Sequence, residues 1–163
     1  MNYRTEWITG RSILSRHQHL RINQIYCWLV TSDQKVIIVS PDNAHWQLPG
    51  GHPEPDENQT MTLVREIKEE TGLDIANLAN QAFFIGYYVV DELDDRKQIT
   101  NQYLQVRYYL KLGLKGDRLH LATHENGRDH TRQMHFVQAA ARSDLIAKIK
   151  WLADSPEYHA VHF

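Results

Sequence analysis

Glu66, Glu69 and Glu70 stand at i, i+3 and i+4, so on a helix their three carboxylates share one face. Like charges at those spacings cost about 0.2–0.5 kcal/mol per pair. Carboxylates in the last turn also oppose the helix dipole, at roughly 0.3–1 kcal/mol each. Arg65, four residues before Glu69, relieves only part of this. Most acidic runs are solvated faces, and a soluble interaction protein would need no more than that. Three acids clustered where they weaken their own helix are, however, what a divalent cation would neutralise. Hard oxygen donors of this kind suit Mg²⁺ or Mn²⁺.

The elements around these acids are built to hold them. Pro49-Gly50-Gly51 makes a sharp, open loop, because proline fixes φ and glycine accepts angles other residues avoid. A helix follows, with Asp56 or Asn58 as its N-cap and Gly72 as the residue past its end.

Gly51 to Leu73 as a whole resembles the Nudix box, G-x5-E-x7-R-E-U-x-E-E-x-G-U with U aliphatic. Gly51, Glu57, Arg65, Glu66, Ile67, Glu69, Glu70, Gly72 and Leu73 fill every defined position. Chance agreement at one start point is on the order of 10⁻⁹ with ordinary residue frequencies. The resemblance implies an α/β/α sandwich, a mixed β-sheet between helices. It also implies hydrolysis of a nucleoside diphosphate linked to some moiety X. By the same resemblance Glu66, Glu69 and Glu70 bind the metal, Gly51 joins through its carbonyl, Glu57 acts behind them and Arg65 orients the glutamates. The catalytic base is either Glu66 or an acid on a later loop, with Glu125 preferred to Glu92. A non-catalytic Nudix-like module that binds nucleotide is the alternative, although such domains usually lose box glutamates and none is lost here.

Composition agrees with a single globular domain: 163 residues, 42% hydrophobic and 23% charged. A net charge of −2 argues against an extended nucleic-acid or anionic-membrane surface, which makes RNA 5′ ends a poor substrate. Cys27 is the only cysteine, no apolar run has spanning length and no signal-peptide order opens the chain, so a cytoplasmic protein is expected.

The chain divides into an N-terminal extension (1–21), a core (22–153) and a tail (154–163). Tyr3 to Thr9 reads as a short strand. The basic cluster Arg16, His17, His19 and Arg21 reads as a solvated connector. Ile22 to Thr31 is nearly continuous in apolar residues, as in a strand covered on both faces, and Cys27 is then a small buried side chain. Lys35 to Ser40 forms the other arm of a hairpin. After the box come a strand over Phe83 to Val90, an acidic loop over Asp91 to Asn101 and an alternating strand over Gln102 to Leu112. Leu119 to Ala122 and Gln133 to Gln138 are further strands, and Ala139 to Ala153 a closing helix.

Four residues outside the metal set are candidates to meet substrate: His52 beside the glycine loop, Arg107 and Tyr109 on the polar face of their strand, and Trp46, whose better use is packing against the box helix. His120, His124, His130 and His135 match no compact zinc spacing and read as surface or loop residues. The substrate is a small-molecule nucleotide whose X is open. Lys35 to Ser40 lacks the motif of the coenzyme A subclass. Tyr87, Tyr88 and Val89 stand where ADP-ribose enzymes carry proline, and a tyrosine there is similar to dinucleoside polyphosphate enzymes. By analogy with the family, a homodimer is also expected.

Overall fold

The computed structural model describes residues 2–10, 14–119 and 136–140. Within them seven strands form one mixed sheet: β1 (Asn2–Thr9), β2 (Ile22–Val30), β3 (Val36–Ser40), β4 (Gly50–Gly51), β5 (Phe83–Leu93), β6 (Ile99–Lys111) and β7 (Phe136–Ala140). Their order is β1-β5-β6-β2-β3-β7, and β4 pairs with β2 off that path. β2 and β6 run parallel, placing Tyr26 opposite Arg107 and Trp28 opposite Tyr109. The other pairings are antiparallel. A single α-helix, α1 (Gln59–Thr71), is present among the described residues.

β2 explains its own apolar run. Ile25, Cys27 and Leu29 point to the face where α1 packs Leu63 and Ile67, joined by Val106 and Leu110 of β6. Trp28 and Val30 point to the opposite face, against Ile38, Leu48 and Ile85. A strand with apolar neighbours on both faces has no polar side to present, as the sequence pattern implies. Cys27 is fully buried and its thiol is pushed up by desolvation, so it is inert packing.

α1 begins where Asn58 Oδ1 accepts a hydrogen bond from the Met61 N–H at 2.9 Å. Asn58 is thus the N-cap, and Asp56 instead takes a left-handed turn (φ 69°) two residues earlier. The helix closes at Gly72 (φ 75°), whose N–H donates to the Lys68 carbonyl at 3.0 Å.

Several expectations are corrected. Asp91–Asn101 is not a loop: Asp91 to Leu93 finish β5, Ile99 begins β6, and only the turn between them is irregular. The acids there mislead because burial of Asp91 is offset by hydrogen bonds, from Arg4 Nε and Gln102 Nε2, each at 2.7 Å. The strand expected over Tyr3 to Thr9 is present as β1, which pairs with β5 along its whole length, from Asn2 opposite Leu93 to Thr9 opposite Gly86. Leu119 follows a 3-10 turn (Gly116–Arg118) and is not in a strand. Ala139 and Ala140 belong to β7, opposite Ile37 and Val36, where β-pairing overrides alanine's helix preference. The rest of the expected closing helix, 141–153, lies outside the described residues, as do 120–122, 133–135 and the tail.

Candidate active site

The three acids sit on the part of α1 that faces the glycine loop. Gly50 is the strand partner of Tyr26, and its φ of 143° is one that side chains rarely adopt. A Cβ at Gly50 would overlap the Ile25 carbonyl and come within 2.7 Å of Tyr26 Cα, so only glycine fits between β2 and α1. Its N–H donates to Glu70 Oε2 at 2.7 Å. At Gly51 a Cβ would stand 2.6 Å from Glu66 Cδ, so the second glycine lets that carboxylate lie directly on the backbone.

Arg65 ties the remaining acids together. Its Nε and one terminal nitrogen donate to the two Glu57 oxygens at 2.7 and 2.9 Å, a bidentate pair. The same terminal nitrogen donates to the His52 carbonyl at 2.9 Å. The other reaches Glu66 at 3.0 Å and Glu69 at 3.3 Å. Glu57 is fixed further by the Thr62 hydroxyl and the Glu54 N–H, both at 2.9 Å, and the guanidinium holds its carboxyl down at about 2.

Glu66 and Glu70 are in the opposite condition. Burial pushes Glu70 up to about 8; the Gly50 N–H opposes the rise and the charges of Glu66 and Glu69 add to it. Burial also raises Glu66, against the pull of Arg65. Carboxyls raised by burial are the electrostatic condition that a divalent cation relieves. The donor set is all oxygen, which suits a hard ion. Among the described residues no three Asp, Glu, His or Cys groups already surround a common point. Glu66 and Glu69 are instead bonded to Arg65.

These groups open on a cleft of about 560 Å³, lined by Tyr26, Gly50, Gly51, His52, Glu66 and Glu70 among others. His52 is therefore at the cleft, 3.5 Å from Gln24 Nε2. Arg107 lies one layer behind, almost fully buried, with its guanidinium 4.5 Å from the centre of the Tyr26 ring and 5.5 Å from that of Tyr88. It donates to Gln105 at 3.1 Å, and Gln105 in turn donates to Gln24, so a polar row crosses the sheet from Arg107 to His52. Tyr109 and Trp46 are not in the cleft wall. Both pack on the cluster around Trp28 and Leu48, the face of the sheet away from α1, so Trp46 packs as expected but not on the helix. Glu92 is the last residue but one of β5, where its carboxylate accepts from Asn101 Nδ2 at 3.2 Å, and it is not in the cleft wall either. Glu125 and the four histidines from 120 to 135 lie outside the described residues.

Tyr26, Gln24 and Gln105 are not singled out by the residue pattern. The available signal is Gln24 and Tyr26 alternating with Trp28 at the start of β2, a polar opening to an otherwise apolar face.

A sequence model described as the NUDIX domain matches residues 21–154. The chain belongs to the Nudix family of hydrolases. A Mycobacterium tuberculosis protein named for 8-oxo-dGTP diphosphatase activity is 34% identical to this Nudix hydrolase over 113 residues, 67% of each chain. Among solved structures, the Bacillus subtilis pyrophosphohydrolase BsRppH superposes with a TM-score of 0.61 at 15% identity, covering 96% of this chain and 87% of its own. The NUDIX domain of Shewanella oneidensis NrtR, solved with ADP ribose, gives 0.55 at 15% identity, covering 93% and 99%. At such identity these two establish the shared mixed-sheet fold alone. Nudix hydrolases generally use a divalent metal. No helix among the described residues is long and apolar enough to cross a membrane.

Proposed function

We propose that this Nudix hydrolase cleaves a diphosphate linkage in a nucleoside diphosphate derivative, with Mg²⁺ or Mn²⁺ held by Glu66, Glu69, Glu70 and the Gly51 carbonyl. The observation that carries this is the pair of enclosed carboxylates, Glu66 and Glu70, seated on the glycine loop at the wall of the cleft. A bound ion would neutralise the diphosphate and acidify a water. Arg65 then works as an organiser, fixing Glu57 and the His52 carbonyl and keeping Glu66 and Glu69 oriented. Glu66, already raised by burial, is the box residue suited to take a proton from water, with Glu125 the acid proposed for that role outside the box. His52 is proposed to meet substrate at the cleft and Arg107 to act from behind it.

The substrate is proposed to be a small nucleotide, and the Mycobacterium tuberculosis relative's name puts oxidised nucleoside triphosphates first in the panel. The test is phosphate or pyrophosphate release from nucleoside triphosphates, 8-oxo-dGTP, ADP-ribose, nucleotide sugars and dinucleoside polyphosphates. It is run with Mg²⁺ and with Mn²⁺, and water labelled with ¹⁸O identifies the phosphorus attacked. Metal-dependent turnover of at least one member is the expected result. Binding without turnover of any member would reject hydrolysis in favour of a nucleotide-binding module.

A further inference from the structure

We propose that Tyr26 is a substrate-positioning residue of this cleft, its hydroxyl donating a hydrogen bond to a phosphate oxygen of the bound diphosphate. The inference rests on the diphosphate-hydrolase reading of the site.

Three placements support it. Tyr26 on β2 is the strand partner of Gly50, whose N–H donates to Glu70 Oε2, so one backbone pairing brings the tyrosine to the loop that seats this acid. Tyr26 lines the same cleft as Glu66 and Glu70, and lies within electrostatic reach of both carboxylates. Among the described residues nothing hydrogen-bonds its hydroxyl, although the ring itself is held. The Arg107 guanidinium stacks 4.5 Å from the ring centre, and Arg107 is anchored in turn by Gln105, by the Val106 carbonyl at 3.2 Å and by the Tyr88 ring.

A fixed ring with an uncommitted hydroxyl is a directed donor. Its neutrality matters at this position. A lysine or arginine beside Glu66 and Glu70 would pair with them, as Arg65 does with Glu66, and would compete with a cation for the same oxygens. A phenol donates to an anionic oxygen without that competition. The ring is held by Arg107 and by the apolar cluster around Trp28, and the residue still lines the cleft.

The experiment compares wild type, Tyr26→Phe and Tyr26→Leu. For each, kcat and KM are measured on the substrate that the panel identifies. Calorimetry measures affinity for a methylene-bridged, non-hydrolysable nucleoside diphosphate analogue, and thermal melting checks the fold. Tyr26→Phe keeps the ring and its stack on Arg107, so its melting temperature should match wild type. Its kcat/KM and its affinity for the analogue should each fall about tenfold, the loss expected for one hydrogen bond to a charged acceptor. Tyr26→Leu should lose more, because the stack goes too. Wild-type kcat/KM and analogue affinity in Tyr26→Phe would overturn the proposal while leaving the hydrolase reading intact. A wild-type protein that turns over no substrate would instead overturn the hydrolase reading, and the analogue affinities would still decide Tyr26. No turnover together with no analogue binding by wild type would reject both.

Discussion

Glu70 is the residue at which folding and chemistry conflict most directly. It is buried, hydrogen-bonded to one backbone N–H, and raised to about 8 by its surroundings. Glutamine keeps an oxygen for the Gly50 N–H, stays neutral as the buried acid mostly does near pH 7, and cannot ionise to meet a metal. Glu70→Gln should therefore melt no lower than wild type without metal, yet lose metal-dependent turnover by at least about 100-fold; near-normal turnover with Mg²⁺ would contradict the metal assignment. Arg65 makes a different argument. Its planar fork spans both Glu57 oxygens, the His52 carbonyl, Glu66 and Glu69, and one ammonium group cannot reproduce that set. Arg65→Lys should need roughly 10–100-fold more Mg²⁺ for half-maximal activity, the usual cost of losing a group that orients metal ligands. A metal titration of activity checks this, and an unchanged midpoint would mean that charge alone suffices there.

At the scale of elements, α1 is the part most legible in the sequence. Its cap, its stop and its acidic face are local features, each spaced within a few residues. Asn58→Ala should cost about 1 kcal/mol in a urea titration, because it removes the acceptor for the Met61 N–H. Pairings between distant strands are not legible in this way. Nothing near Tyr26 in the sequence says that Arg107, from a strand running parallel to it, will stack on its ring. The misread loop at Asp91 has the same origin: Arg4 lies 87 residues away, so from the sequence the acid looks exposed. That pairing sets a pH dependence. Burial alone would raise Asp91, but hydrogen bonds from Gln102 and Arg4 and the charge of Arg4 outweigh it and hold the carboxyl below its usual range. A lowered folded-state value means stability that is present above the unfolded value near 3.9 and lost as pH falls through the folded one. Asp91→Asn should accordingly lower the urea midpoint at pH 7, and the gap to wild type should narrow by about pH 3. A gap that stays constant would show that the carboxylate's charge plays no part in docking β1.

For the molecule as a whole, the site is placed where three different constraints meet. The sheet supplies Tyr26 and the buried Arg107, the glycine loop supplies bare backbone, and α1 supplies the carboxylates. None of these is selective for a cation alone. Together they enclose between β2 and α1 a carboxyl that a divalent ion would ionise, so the folded chain should bind a divalent ion that the unfolded chain cannot. Ligand that binds only the native state stabilises it by mass action, by about 2.7 kcal/mol at one hundred times the dissociation constant. Melting temperature should thus rise with Mg²⁺ or Mn²⁺ concentration, and chelator should reverse the rise. Glu70→Gln should flatten the response, since glutamine cannot ionise to meet the ion, whereas Asn58→Ala should start lower and rise in parallel with wild type. This separates a built ion site from a solvated acidic face without any substrate. Equal shifts in wild type and Glu70→Gln would place ion binding elsewhere on the molecule.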